Sequence, residues 1–119
     1  MKRNHKTFGI SDIEWFRRSI EEAHRDPVGM WQMIKAGRDG FGLDGLFLEE
    51  FVRDFIVEMI KGGAFPVIGN KASPFGWSPV PKYGGDPEEI ADALIKDWKS
   101  SKTDPDVDGV WFAAQSVWK

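Results

Sequence analysis

With 119 residues, 41% hydrophobic and 13% aromatic, the chain has the length and apolar content for one domain with its own core. The absence of cysteine excludes disulfides, thiolate nucleophiles and cysteine-bound zinc. A formal charge of −3 argues against nucleic acid as a partner, and no apolar run approaches the roughly 18 residues that a membrane span needs.

The first ten residues, MKRNHKTFGI, carry charge but lack the apolar run that follows it in a secretory leader. A reduced, cytoplasmic protein is therefore expected. Lys2, Arg3, His5 and Lys6 make residues 1–10 read as a flexible basic tail, ahead of a single α+β domain over residues 11–119.

A first helix is predicted from Ser11, whose side chain can cap the free amides while Glu14 returns a bond to the cap. Ile13, Phe16, Ile20 and Ala23 then recur at helical spacing. His24 closes this helix, where an imidazolium interacts favourably with the C-terminal dipole. Asp26-Pro27 predicts a break and a second, short helix with proline at its first position. In that helix Val28, Trp31 and Ile34 form one apolar face, and Met30 and Met33 a second. Gly37 and the run GRDGFGLDG predict its end.

Gly45–Lys61 is predicted as a central helix, because its apolar residues cover most of the circumference outside one polar stripe. Gly62-Gly63 provides the stop. FPVIG, residues 65–69, follows as a strand. Asp86-Pro87-Glu88-Glu89 is an N-cap, a first-position proline and an acidic first turn, and that helix is predicted to run to about Ser100. A closing strand is predicted over Val110–Val117. The expected class is α+β: about four helices, in the order α-α-α-β-α-β, packed on a two- or three-stranded sheet. The third strand would lie within Trp77–Val80, confined to an edge by Pro79 and Pro81.

Several motifs meet structural explanations. Gly40, Gly42 and Gly45 fit G-x-G-x-x-G, but a nucleotide-binding turn needs a strand before it, and the preceding segment reads as helix. Asp104, Asp106 and Asp108 before Gly109 resemble the first half of a calcium loop. Gln115 stands where that loop's bidentate glutamate belongs, so calcium is an alternative rather than the main expectation. Adjacent glutamates at 49–50 and 88–89 point about 100° apart on a helix and do not converge by themselves. A small enzyme assembled from distant segments, His24 with a carboxylate for instance, is a second alternative. No cofactor is expected.

The segment GNKASPFGWSPVPKYGGD, residues 69–86, is the strongest functional candidate. It is long, rich in proline and glycine, and too aromatic for a disordered linker. Phe75, Trp77 and Tyr83 either fold back over the core, as in an Ω-loop, or face outward as anchors. The expectation is a non-enzymatic module binding another protein through this loop. Phe75, Trp77 and Tyr83 would be the anchors, and Asn70, Lys71 and Lys82 the polar rim. Six tryptophans leave room for a homo-oligomeric patch.

Overall fold

The computed structural model of the chain describes residues 3–118. Ser11 has an extended backbone, and its hydroxyl accepts from the Glu14 amide at 3.1 Å. Helix α1 (Asp12–Ala23) therefore starts at the predicted cap. The Glu14 carboxylate does not turn back to the cap. It binds Arg17 at 2.6 Å and Arg18 at 2.8 Å, and hydrogen bonds from these two arginines pull its pKa down to about 2. Phe16 and Ala23 face the core, whereas Ile13 is 65% exposed.

The next element departs from expectation. Pro27 does not open a helix: Val28–Gly29 form strand β1, and α2 (Met30–Lys35) begins only afterwards. The Gln32 side chain accepts from the Gly29 amide at 2.8 Å and stands in for a cap. The local preference of proline for a helix start is overridden because Val28 and Gly29 pair with Phe112 and Trp111 far along the chain. Helical winding also runs past Gly37, widening into a π-turn over Ala36–Gly40. Gly37 serves packing instead, since a Cβ there would stand 2.7 Å from Leu48 and Phe51.

Helix α3 (Gly45–Lys61) is central, as its wide apolar surface predicts. Phe51, Val52, Phe55, Ile56 and Met59 are buried, and the helix touches α1, α2 and α4. Its first turn projects beyond this core, leaving Leu46 and Phe47 exposed. Strands β2 (Phe65–Gly69) and β3 (Trp77–Pro79) form a hairpin. Helix α4 (Pro87–Ser100) is capped by Asp86, which accepts from the Glu89 amide at 3.2 Å.

Strand β4 is confined to Trp111–Ala113, and the rest of the predicted strand coils into a short helix, α5 (Gln115–Trp118). The strand ends where its partners end. Phe65 pairs with Ala113 and β1 offers only two residues, while Ala114 donates to the carbonyl of Ala23 at the end of α1. The sheet is antiparallel throughout, in the order β1-β4-β2-β3. The α+β class holds, with five helices on four strands rather than four helices on two or three. The additional strand is β1; the proline-flanked edge strand is present as β3.

Residues 3–10, expected to be free, are bound to the body; Lys2 lies outside the described residues. Arg3 bridges Asp12 at 2.6 Å and Asp54 at 2.8 Å, and its guanidinium lies 5.4 Å from the centre of the Phe51 ring. His5 is 8% exposed. Its Nδ1 accepts from the amides of Thr7 and Phe8, each at 3.1 Å. Its ring stacks on Trp15 at 5.0 Å and meets Phe41 edge-on at 5.4 Å. The Lys6 amide donates to the Gly40 carbonyl at 2.8 Å. Arg3 joins the body because its opposite charges arrive from α1 and α3, and His5 because aromatic rings enclose it, while the Lys6 side chain stays exposed.

Candidate surface on the hairpin and the tryptophan face

Residues 69–86 divide into two parts with separate supports. The first is the turn Asn70–Gly76, and Asn70 organises it. Its amide donates to the Gly76 carbonyl at 2.8 Å, its side-chain oxygen accepts from Ala72 at 3.0 Å, and its side-chain nitrogen donates to Ser78 at 2.8 Å. Ser73 adds a hydroxyl bond to the Trp77 carbonyl. Gly76 takes φ +81°, a conformation that favours glycine. Asn70 thus builds the turn, while remaining exposed. Lys71 is exposed, and Phe75 stands out with 57% of its surface in solvent.

The β3 edge is partly withdrawn from further strand pairing by its own chemistry. Asn70 donates to Gly76, and Val80 to Pro66 at 3.1 Å, so the antiparallel alternation turns the backbone groups of Trp77 and Pro79 outward. Pro79 has no N–H, and the Trp77 carbonyl is already taken by Ser73. This is a protected edge, which favours side-chain recognition over strand addition.

Register places side chains on the two faces of the sheet. Phe112 pairs with Val28 and Pro66, and Phe112 and Val28 belong to the helical core. Trp111 pairs with Gly29 and Val67, and Trp77 with Gly69, which puts both indoles on the opposite face. Trp77 lies 5.5 Å from Trp111, and Trp31 meets Trp111 edge-on at 6.3 Å. Val67 shares this face, opposite Trp111 in register, and is fully buried, though outside the helical core. Trp111 is oriented by donating Nε1 to the Val107 carbonyl at 2.9 Å.

Tyr83 and Lys82 belong to the second part. They lie in a single 3₁₀ turn, Pro81–Tyr83, packed against α4. Tyr83 donates its hydroxyl to Asp97 at 3.0 Å. Burial, reinforced by that bond, raises the Tyr83 pKa above its usual value. The Lys82 ammonium lies 4.9 Å from the centre of the Tyr83 ring. The structure brings Trp77 to β4 and Tyr83 to α4, so the three rings expected as one set of anchors do not form one. Trp111, within the predicted closing strand, stands beside Trp77, and Trp31, from the apolar face of the predicted second helix, adjoins Trp111. The two-residue strand β1 causes this, and no local pattern signals it.

The alternative sites resolve into structural roles. Asp104 accepts from Trp98 Nε1 and from Arg38, each at 2.9 Å, and these bonds lower its pKa. Asp106 accepts from the Asp108 amide at 2.9 Å. Among the described residues no three acidic or histidine side chains are placed to hold a metal ion. Asp104, Asp106 and Asp108 therefore shape a turn and do not converge as the calcium alternative requires. His24 bonds through Nε2 to the Gly62 carbonyl at 3.1 Å. Its backbone closes α1 as expected, donating to the carbonyls of Glu21 and Glu22, while its ring reaches the end of α3 and meets a backbone carbonyl instead of a carboxylate. Gly40 packs on His5, so the G-x-G-x-x-G run is an interhelical connection. Glu49 reaches Lys99 at 3.3 Å.

Comparison with protein-family models, with curated proteins and with solved structures gave no match.

Proposed function

We propose that the chain is a non-enzymatic binding module that engages another protein through the Asn70–Gly76 turn and the adjoining tryptophan face. The observation that carries this reading is Phe75: a large apolar ring, mostly in solvent, at the tip of a turn fixed by its own hydrogen bonds. A ring displayed on a rigid support loses little conformational entropy on binding. The half-buried indoles of Trp77, Trp111 and Trp31, which adjoin one another on the sheet that carries the turn, suit the role of interface anchors. Lys71 adds a charged rim. Tyr83, Lys82 and Asn70 serve as supports in this reading rather than as contacts.

The test is a parallel affinity purification from the source cells with wild type, Phe75→Ala and Phe75→Trp, together with thermal unfolding of each. A specific partner held by wild type and Phe75→Trp and lost from Phe75→Ala, at unchanged melting temperature, supports the reading. Retention of every partner by Phe75→Ala removes it.

A further inference from the structure

Between α4 and the segment leading into β4 lies a cleft of about 310 Å³, a volume at the small end of ligand sites, which span about 300–1,000 Å³. Its floor is apolar: Met30 and Leu94 each keep only 2% of their surface in solvent. Tyr83 and Trp98 form aromatic walls, each held by a hydrogen bond to a carboxylate, Asp97 and Asp104 respectively. The rim is acidic, and among the residues lining the cleft there is no lysine or arginine.

Arg38 neutralises Asp104 from outside the lining, whereas Asp97 receives the neutral Tyr83 hydroxyl. Asp106 uses one oxygen on the Asp108 amide. Asp108 accepts no side-chain or backbone donor among the described residues. The rim thus stays negative over an apolar, aromatic floor.

That combination selects a chemical class. An anion is repelled by the carboxylates. A bare divalent ion finds no three converging ligands and gains nothing from Met30 or Leu94. A neutral apolar molecule leaves the acidic rim unused. A short alkyl chain ending in a cation satisfies both halves: methylenes on the floor and walls, and the ammonium at the carboxylates and aromatic faces. We propose that this cleft binds an alkylammonium group, supplied either by a lysine side chain of a protein or by a free aliphatic amine.

The reporter is the Trp98 indole N–H, which donates to Asp104 inside the cleft. The full chain is titrated with n-butylammonium, and with 1-butanol and butyrate as neutral and anionic matches, while the indole resonance is followed by NMR. A saturable shift with butylammonium alone is expected. Asp97→Asn and Asp108→Asn preserve shape and should each weaken binding about threefold, the value of a partly exposed ion pair. Absence of a saturable shift overturns the proposal, as does an equal response to 1-butanol or undiminished affinity in both asparagine variants. Nα-acetyl-lysine N-methylamide distinguishes the sources: affinity matching butylammonium assigns the site to protein lysines, and exclusion assigns it to free amines. Phe75→Ala leaves this cleft untouched, so its outcome is separable from that of the hairpin.

Discussion

The N-terminal arm and the Asn70–Gly76 turn are both short surface segments, yet they are held in opposite ways. The arm is held from far away: Arg3 reaches Asp54, 51 positions along the chain, and the His5 ring sits among Phe8, Trp15 and Phe41. The turn is held from within, by bonds spanning 2 to 8 positions. Consequently the arm's side chains are the fastening, and removing one loosens the segment and exposes what it covers. The turn's fastening is its backbone and small polar groups, which leaves its largest side chain, Phe75, free of structural duty. A side chain free of structural duty is the one that a binding role can use.

The largest effect is expected from breaking the arm at Arg3. Asp12 is buried and also accepts from the Ile13 amide at 2.8 Å, and among the described residues Arg3 alone balances its charge. Arg3→Ala leaves that carboxylate uncompensated and should cost about 3 kcal/mol, lowering Tm by on the order of 10 °C for a domain of this size. Chemical and thermal unfolding measure it. A loss below about 1 kcal/mol, the level of a surface pair, would place the arm in the same class as the turn and dissolve the contrast.

Gly40 offers a smaller break in the same region. A Cβ there would stand 2.7 Å from His5 Nε2, and the imidazole is packed by three aromatic rings and cannot retreat. Gly40→Ala should cost about 2 kcal/mol through overpacking. His5→Ala, which empties the site, should make the second substitution nearly free. A double-mutant cycle in thermal unfolding reads that coupling directly, and additive losses would contradict the packed position of His5.

The elements that could be read from local pattern are the ones whose reasons are local. Ser11 and Asp86 cap their helices, α3 carries its own apolar circumference, and Gly62-Gly63 follows its last turn. What local pattern missed depends on partners distant in the chain. Val28-Gly29 is a strand only because Phe112 and Trp111 lie beside it, and VWFAAQSV coils after Ala113 because no strand remains to pair with it. The candidate surface was half legible for the same reason. Phe75 and Trp77 were visible in an aromatic loop, but Trp111, and through it Trp31, joins Trp77 only through the register of β1 and β4. Tyr83 leaves the set because Asp97, on another helix, receives its hydroxyl.

That reassignment of Tyr83 is measurable, since it is the only tyrosine in the chain and its ionisation is read in the near ultraviolet without interference from another. Its pKa should lie above the usual 10, first because of burial and second because of Asp97. Asp97→Asn should bring it part of the way back, leaving the contribution of burial. The sign for stability follows: a raised folded pKa favours the neutral phenol, so this contribution is present below the unfolded pKa and is lost as pH rises through the folded one. A normal titration would detach the 3₁₀ turn from α4 and return Tyr83 to the exposed loop.

The smallest effect on stability is the most informative about the turn. Phe75→Ala removes a ring with more than half its surface already in solvent, and the bonds that hold the turn involve none of its side-chain atoms. The change in unfolding free energy should stay within about 0.5 kcal/mol, as for surface substitutions that touch no special feature. Asn70→Ala serves as the matched opposite. It strips two side-chain bonds from the same turn and should cost about 1–2 kcal/mol, near 1 kcal/mol for each bond lost. Amide exchange should quicken at Ala72 in Asn70→Ala and stay unchanged there in Phe75→Ala. If removing the ring also released the Ala72 amide, Phe75 would be part of the fastening, and its exposure could no longer be explained by use in an interface.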